Sequence, residues 1–248
     1  MITAAAVLTI SVAAIASTVI EVGDGPLTIE GGVLPKKLPK HKMAPITLRV
    51  AGQISKSHAA GAQRSALTEL TIDFDKDGSI NNRGLAVCKR SQVKRDPRIT
   101  RRVCRKAIVG TGIAHVAIDP SPMEPIPIPL TLFNGGVKGN AAIVFIQSSI
   151  TAASPTPIVT TVKVKAIQRG RYGLQATARI PPIAEGSGLL LDFRLTVKRR
   201  FNHKGVTQSY AIARCFDRRL SATPIRIVFR NGQRFSGPTV TLPCAPMG

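Results

Sequence analysis

Apolar residues recur at every second position along much of this chain, and this pattern constrains the fold more than any other feature. In the run 189–201, alternate side chains are apolar and those between them are mostly polar or charged. Successive side chains of a β-strand point to opposite faces of a sheet, so the run predicts a strand with one buried face. The apolar positions are Leu189, Leu191, Phe193, Leu195 and Val197.

The same alternation recurs around 46–50, 158–165, 172–180 and 225–229, with few helical stretches between. Many short strands of this kind predict an all-β fold, an antiparallel β-sandwich or open barrel over residues 45–248. Asn231-Gly232 lies between two alternating runs and predicts a hairpin. One short helix is expected over 91–106, interrupted at Pro97.

The residues before this domain divide into two segments. The first 17 residues carry no charged side chain, and the small residues at 14 and 16 suit a signal peptidase. A signal peptide over 1–17 is favoured over an uncleaved anchor, because the run is rich in Ala, Ser and Thr rather than Leu. Gly, Pro and Lys are frequent over 18–44, which predicts a flexible linker. We therefore expect an exported protein, secreted or associated with the cell envelope.

Composition excludes disorder, because 44% of the residues are hydrophobic. Lysine and arginine number 35 against 13 acidic residues, so the net charge is +22. A charge of this size predicts long-range attraction to polyanions.

Four cysteines, Cys88, Cys104, Cys215 and Cys244, allow three disulfide pairings. Disulfides are the default in an exported chain, and proximity in the sequence favours 88–104 and 215–244. Free buried thiols are the alternative. A zinc site is disfavoured because the chain has no C-x-x-C pair.

Three aspartates at alternate positions, Asp73, Asp75 and Asp77, precede a glycine, as at the start of an EF-hand calcium loop. The twelfth position of such a loop should be a bidentate glutamate, and here it is Gly84. The alternative is a strand that ends in a tight turn at 75–78. The turn is favoured, and calcium is the one cofactor for which the sequence offers an argument.

The segment between Cys88 and Lys106, which we call the basic segment, carries nine bases and the single acid Asp96. Such a density favours binding of anionic cell-wall polymers or anionic lipid headgroups, with a solvated surface as the alternative. Sequence-specific nucleic-acid binding is not expected, because no aromatic residue lies between 75 and 132 to stack on bases. The nine bases are Lys89, Arg90, Lys94, Arg95, Arg98, Arg101, Arg102, Arg105 and Lys106.

Known catalytic motifs are missing from the sequence. The four histidines, His41, His58, His115 and His203, have no metal-binding partner at the usual spacing, and no G-x-S-x-G, H-E-x-x-H or phosphate loop occurs. We therefore expect no enzymatic activity.

Three segments together resemble a group of secreted, basic, β-rich proteins of uncharacterised function from high-GC Gram-positive bacteria. They are Cys88 to Gly112, Arg171-Tyr172-Gly173 to Leu190, and Cys215 to Cys244 with Asn231-Gly232 between. The resemblance covers about residues 45–244, and it implies a disulfide-bonded exported domain and no catalytic activity.

Two functions follow as expectations. The first is a non-enzymatic cell-envelope protein that associates electrostatically with anionic surface polymers. The alternative is a carrier of an apolar ligand or lipid, in a cavity lined by aliphatic side chains. An apolar pocket of several hundred Å³ would favour the carrier, and a continuous basic face without a pocket would favour the polyanion binder.

Overall fold

A computed structural model describes residues 16–22, 25–54, 65–118, 125–150 and 157–247. Strands dominate this part of the chain, and they are numbered here in chain order. They are β1 (Ala16–Val22), β2 (Gly25–Leu34), β3 (Lys37–Pro39), β4 (Ala44–Pro45), β5 (Thr47–Ile54), β6 (Leu67–Asp75), β7 (Gly78–Ile80), β8 (Ile108–Ile118), β9 (Ile126–Lys138), β10 (Ala141–Ser149), β11 (Pro157–Arg169), β12 (Tyr172–Arg179), β13 (Gly188–Val197), β14 (Arg200–His203), β15 (Val206–Ser209), β16 (Ala211–Ala213), β17 (Arg219–Phe229), β18 (Arg234–Phe235), β19 (Val240–Pro243) and β20 (Ala245–Met247).

Helical structure is confined to short elements. They are α1 (Arg90–Val93), α2 (Pro97–Val103) and the 3-10 turns Arg105–Ala107 and Ala184–Gly186. None of the helices in the described ranges is long and apolar enough to cross a membrane.

The prediction of an all-β antiparallel fold is confirmed. Thirteen strands form one sheet in the order β1-β2-β5-β13-β8-β9-β10-β11-β12-β6-β17-β18, with β19 also pairing with β17. The sheet is strongly curled into a half-barrel, which matches the open-barrel form of the prediction. The curl brings the ends together, since Leu27 and Ile29 of β2 pack in one core with Ile227 and Phe229 of β17.

Gly110 and Gly112 of β8 allow this strand to approach β13 closely. A Cβ built on Gly112 would lie 2.2 Å from the Arg194 carbonyl oxygen, and one on Gly110 would lie 2.4 Å from that of Thr196. A side chain at either position would therefore force the two strands apart.

The prediction of a flexible linker over 18–44 is wrong. Strand β2 pairs with β5 over positions 27–34, and Leu27, Ile29 and Leu38 are all buried. The apolar residues at 27 and 29 explain why this segment forms a strand. They point to the same face, so the strand can bury that face despite the segment's Gly and Pro content. The main sheet therefore begins well before residue 45. Of the predicted signal peptide, residues 1–15 lie outside the described ranges, while 16 and 17 belong to β1.

Three small sheets complete the fold. Strands β4, β16 and β7 form a three-stranded sheet, β14 and β15 form a hairpin, and β20 pairs with β3 in parallel. The predicted disulfides are confirmed as Cys88–Cys104 and Cys215–Cys244. Such bonds are typical of proteins in an oxidising compartment.

Proline positions match the pairing pattern. Pro127 and Pro129 lie in the part of β9 that pairs with β8, while the pairing of β9 with β10 is confined to positions 131–138. A proline has no N–H to donate, so it is tolerated where one side of the strand needs no partner.

Candidate functional site: an apolar cavity and a basic outer segment

The concave face of the curled sheet forms a cavity of about 290 Å³. Its walls come from the inward-facing positions of the long strands, and the small sheet β4-β16-β7 contributes Ile80 and Ala213 at one end. This volume is close to the lower bound of about 300 Å³ for small-molecule pockets. The aliphatic wall residues include Val109, Ala114, Val116, Ile128, Leu130, Leu132, Val144, Ile146, Val162, Val164, Leu174, Ala176, Ala178, Leu190, Leu195 and Val197.

The space persists because part of the wall carries small side chains. On β12 the inward positions are Leu174, Ala176 and Ala178, and all three are only partly buried although they face the interior. Protein interiors are normally packed as densely as organic crystals, with few voids larger than a water molecule. An apolar lining of this kind suits apolar ligands, because it offers few hydrogen-bond partners to water.

Few polar groups reach the cavity, and they do not form a catalytic set. Ser148 and Thr160 lie on β10 and β11, while Asp75 and Ser221 lie near one end. The oxygens of Asp75 already accept hydrogen bonds from the backbone N–H groups of Asp77 and Ser221. Its Oδ2 is also 2.7 Å from Nε of Arg171. The carboxylate is therefore occupied.

Tyr210 is the residue at this cavity that the sequence did not single out. Its side chain is 1% exposed and packs with Leu85, Val109, Leu132 and Val144. Burial raises the pKa of its phenol. Its hydroxyl has no hydrogen-bond partner among the described residues. A buried unsatisfied hydroxyl costs about 1–3 kcal/mol, which opposes the gain from packing the ring in this cluster.

The aspartate stretch forms a strand end and a turn. Strand β6 ends at Asp75, and Lys76 and Asp77 make the turn into β7. All three carboxylates are buried. Each meets a different arginine: Arg169 Nη1 lies 3.1 Å from Asp73, Arg171 Nε 2.7 Å from Asp75, and Arg214 Nε 2.7 Å from Asp77. We call these six residues the aspartate cluster.

This arrangement leaves few carboxylate oxygens free to bind a calcium ion. Calcium needs six to eight oxygen ligands that converge on one point. Within the described ranges no three His, Cys, Asp or Glu residues are placed to hold a metal. Three guanidinium groups already supply positive charge to the carboxylates, so the geometry fits the turn interpretation better than the metal interpretation.

Arg171 forms ion pairs with two carboxylates, Asp75 within the cluster and Asp217 outside it. It also donates to both carboxylate oxygens of Asp217, at 2.6 and 2.9 Å. The hydrogen bonds from Arg171 lower the pKa of Asp217. Burial raises the pKa of Asp75, although Arg171 and the two backbone donors oppose this effect. The hydrogen bond with Asp217 is the main reason that the pKa of Arg171 is raised.

The basic segment lies on the outer face of the sheet. Asp96 caps α2 by accepting from the backbone N–H of Arg98 and Ile99, and Pro97 occupies the first turn. The predicted interruption at Pro97 is therefore observed as a break between two short helices. The Cys88–Cys104 bridge closes the segment.

Buried contacts fix the segment on β9 and β10. Val93 and the bridged cysteines pack against Phe133, Ile143 and Phe145. Nε2 of Gln147 donates to the carbonyl oxygens of Val93 and Arg95, at 2.7 and 2.9 Å. The bases are consequently presented on a rigid support rather than on a loose loop.

All nine bases of the basic segment are exposed. Among the residues that the structure describes, none of the nine is in a salt bridge. The positive surface continues onto the neighbouring strand β11, because Arg90 donates to Thr161 and the exposed Lys163 and Lys165 follow on the same face. The segment's only acid, Asp96, is used as a helix cap.

The three histidines in the described ranges contact different parts of the fold. His115 on β8 lies 2.7 Å from Asp192 on β13, measured between Nδ1 and Oδ1, and both are partly exposed. His41 lies against Phe216, and His203 contacts the turn at Gly84. His58 lies outside the described ranges.

The sequence predicted every residue of the basic segment. For the cavity it predicted only an aliphatic lining, not the residues that form it. The signal for the cavity was the run of inward positions occupied by alanine and β-branched residues on consecutive strands. No family model, curated protein or solved structure matches the chain. The resemblance stated above therefore stays a prediction, and function rests on the geometry alone.

Proposed function

We propose that this protein is an exported, non-enzymatic carrier that holds a small aliphatic ligand inside the curled sheet. The supporting observation is the cavity of about 290 Å³ with its aliphatic lining. Burial of apolar ligand surface in such a space gains about 25 cal/mol per Å². The few polar groups at the wall give orientation at most, so the expected ligand is an alkyl chain or a small lipid.

Calorimetric titration with 1-decanol, an uncharged aliphatic probe, tests this proposal. Because 1-decanol carries no charge, the basic segment contributes nothing to its binding. The decisive variant is Ala176→Phe, which places a ring in the cavity from the centre of β12. We expect at least about a tenfold loss of affinity with unfolding free energy unchanged or raised, as for other cavity-filling substitutions.

The matched control is Thr177→Phe, the next residue on the same strand. Thr177 faces outward and meets Thr71 at 3.1 Å between their hydroxyl oxygens, so its substitution leaves the cavity open. The carrier proposal fails if the parent protein does not bind 1-decanol, or if both variants bind it equally well.

A second function is favoured by a separate observation, the nine exposed bases without salt bridges in the described ranges. We propose that the basic segment associates with anionic polymers or lipid headgroups of the cell envelope. The segment's local net charge is +8, from nine bases and one acid. Attraction of this kind weakens as salt rises, because the Debye length falls to about 8 Å at physiological ionic strength.

Binding to purified cell wall, with and without its phosphate polymers, tests this second function. Arg98→Gln, Arg101→Gln and Arg102→Gln together should weaken binding and flatten its dependence on salt. The control neutralises three exposed bases elsewhere, Lys204, Arg218 and Arg234, so that net charge changes equally. Equal losses in both triple variants would show that total charge, and not the basic segment, drives association.

A further inference from the structure

Helix α2 exposes apolar as well as basic side chains. Ile99 and Val103 are 39% and 47% exposed. They are four residues apart, so they lie on the same side of the helix one turn from each other. The side of α2 that faces the sheet is occupied instead by Thr100, whose hydroxyl donates to the Gln92 carbonyl, and by bridged Cys104.

Bases flank this apolar pair on the same helix. Arg98, Arg101 and Arg102 are all exposed beside Ile99 and Val103. Val87, which is 52% exposed, immediately precedes Cys88, whose bridge to Cys104 links this stretch to the end of α2. Exposed aliphatic side chains among Arg and Lys are typical of surfaces that lie in a membrane interface.

A soluble polymer of phosphates complements the charges but offers nothing to the aliphatic side chains. An anionic bilayer complements both, since headgroups meet the bases and the acyl boundary accepts apolar side chains. We propose that the basic segment docks the protein on an anionic lipid bilayer, with Ile99 and Val103 entering the interface between headgroups and acyl chains. This inference rests on the second function above, and it would give a carrier of aliphatic ligands access to a membrane.

Flotation with vesicles of equimolar phosphatidylglycerol and phosphatidylcholine, at about 150 mM salt, provides the test. The variant Ile99→Ser with Val103→Ser keeps every base, and serine resembles isoleucine and valine in helix propensity. We expect about tenfold weaker binding to these vesicles, because the apolar contribution is lost. Pure phosphatidylcholine vesicles should bind the parent protein far more weakly than the anionic ones.

The matched control is Ile113→Ser with Val206→Ser. These residues are also an isoleucine and a valine, 37% and 60% exposed, on β8 and β15. They lie outside the basic segment, so vesicle binding should stay at the parent level.

Binding to inorganic polyphosphate distinguishes this inference from the second function on which it rests, because polyphosphate carries charge but has no acyl chains. The Ile99 and Val103 variant should bind polyphosphate as tightly as the parent, since the charges are intact. If it also binds anionic vesicles as tightly as the parent, docking is purely electrostatic and the bilayer inference is overturned while polyanion binding stands. If the parent binds neither vesicles nor polyphosphate, both proposals fail.

A fluorescent reporter adds an independent readout, because the chain contains no tryptophan. The single substitution Val103→Trp should give a blue-shifted emission on anionic vesicles and none with polyphosphate. Val206→Trp should show no shift with either. An unshifted emission from position 103 on bound vesicles would contradict insertion.

Discussion

The aspartate cluster and the basic segment are both rich in charge, yet their charges are arranged in opposite ways. In the cluster, three buried carboxylates each meet an arginine within 3.1 Å. In the basic segment, nine exposed bases accompany a single acid that caps a helix. One region satisfies its charges internally, whereas the other leaves them to solvent or to a partner.

This difference separates structural charge from charge available for binding. Removing one member of a buried ion pair leaves an uncompensated charge in a low dielectric, so breaking a pair of the cluster is expected to destabilise the folded state. Exposed like charges repel one another and weaken the folded state slightly. We infer that the basic segment tolerates this repulsion because its two helices are held by a disulfide bond and by Gln147.

The largest expected effect comes from breaking the cluster at Asp75. The substitution Asp75→Ala removes one acceptor of Arg171 and the acceptor of the Ser221 backbone N–H. We expect a loss of about 3–4 kcal/mol in the free energy of unfolding, near the low end for a buried pair because Arg171 keeps Asp217. Urea denaturation followed by circular dichroism measures it.

Arg102→Gln provides the comparison from the basic segment. As an exposed residue outside any salt bridge in the described ranges, it should change the free energy of unfolding by less than about 0.5 kcal/mol. The proposed contrast between the regions would be lost if the two substitutions destabilised the protein to a similar extent.

A smaller effect is expected from opening the bridge that supports the basic segment. Replacing Cys88 and Cys104 together by serine removes a link between residues 16 apart in the sequence. Loops of this size correspond to about 2–3 kcal/mol of stability in the chain-entropy model. Since the bases remain, binding to polyphosphate should persist, while insertion of Ile99 and Val103 into vesicles should weaken.

The corresponding control removes Cys215 and Cys244, which lie in another core with Leu38 and Leu242. That variant should lose stability but keep the parent's ratio of vesicle to polyphosphate affinity. An unchanged ratio in the Cys88 and Cys104 variant would mean that the bridge does not organise the docking surface.

Local patterns made much of this structure predictable. The alternation in 189–201 became β13, the hairpin formed around Asn231-Gly232, and the helix broke at Pro97. Each of these features depends on side chains within a few residues of one another, so the sequence carries the full physical reason. The predicted apolar face holds for Phe193, Leu195 and Val197, whereas an irregularity between Leu190 and Asp192 turns Leu190 toward the cavity in place of its neighbours.

Long-range packing explains what local patterns could not provide. The arginines that meet Asp73 and Asp77 lie 96 and 137 residues further along the chain, and no spacing rule connects them. The alternation marks one face of each strand as apolar, but it does not distinguish a filled interior from a hollow one. That outcome depends on the curl of the sheet and on where alanines such as Ala176 and Ala178 fall.

The smallest expected effect concerns Asp217, the exposed partner of Arg171. Hydrogen bonds from Arg171 lower its pKa below the usual 3.8. The stability from this pair is therefore fully present above the ordinary pKa of 3.8 and is lost as the pH falls through the lowered pKa of the folded state. Asp217→Asn should cost less than about 1 kcal/mol near pH 7, because the pair is partly solvated.

The pH dependence distinguishes this pair from the buried one. As the pH falls from about 3.8 through the lowered pKa of Asp217, the gap in stability between parent and Asp217→Asn should narrow, since the parent loses the pair's contribution on protonation. Burial raises the pKa of Asp75, so its protonation acts in the opposite direction and favours the folded state as the pH falls. Thermal melts of both proteins across this range measure the gap. A gap that stays constant would mean that the pair of Arg171 with Asp217 contributes nothing measurable to stability, and that the exposed member of this network behaves like the free charges of the basic segment.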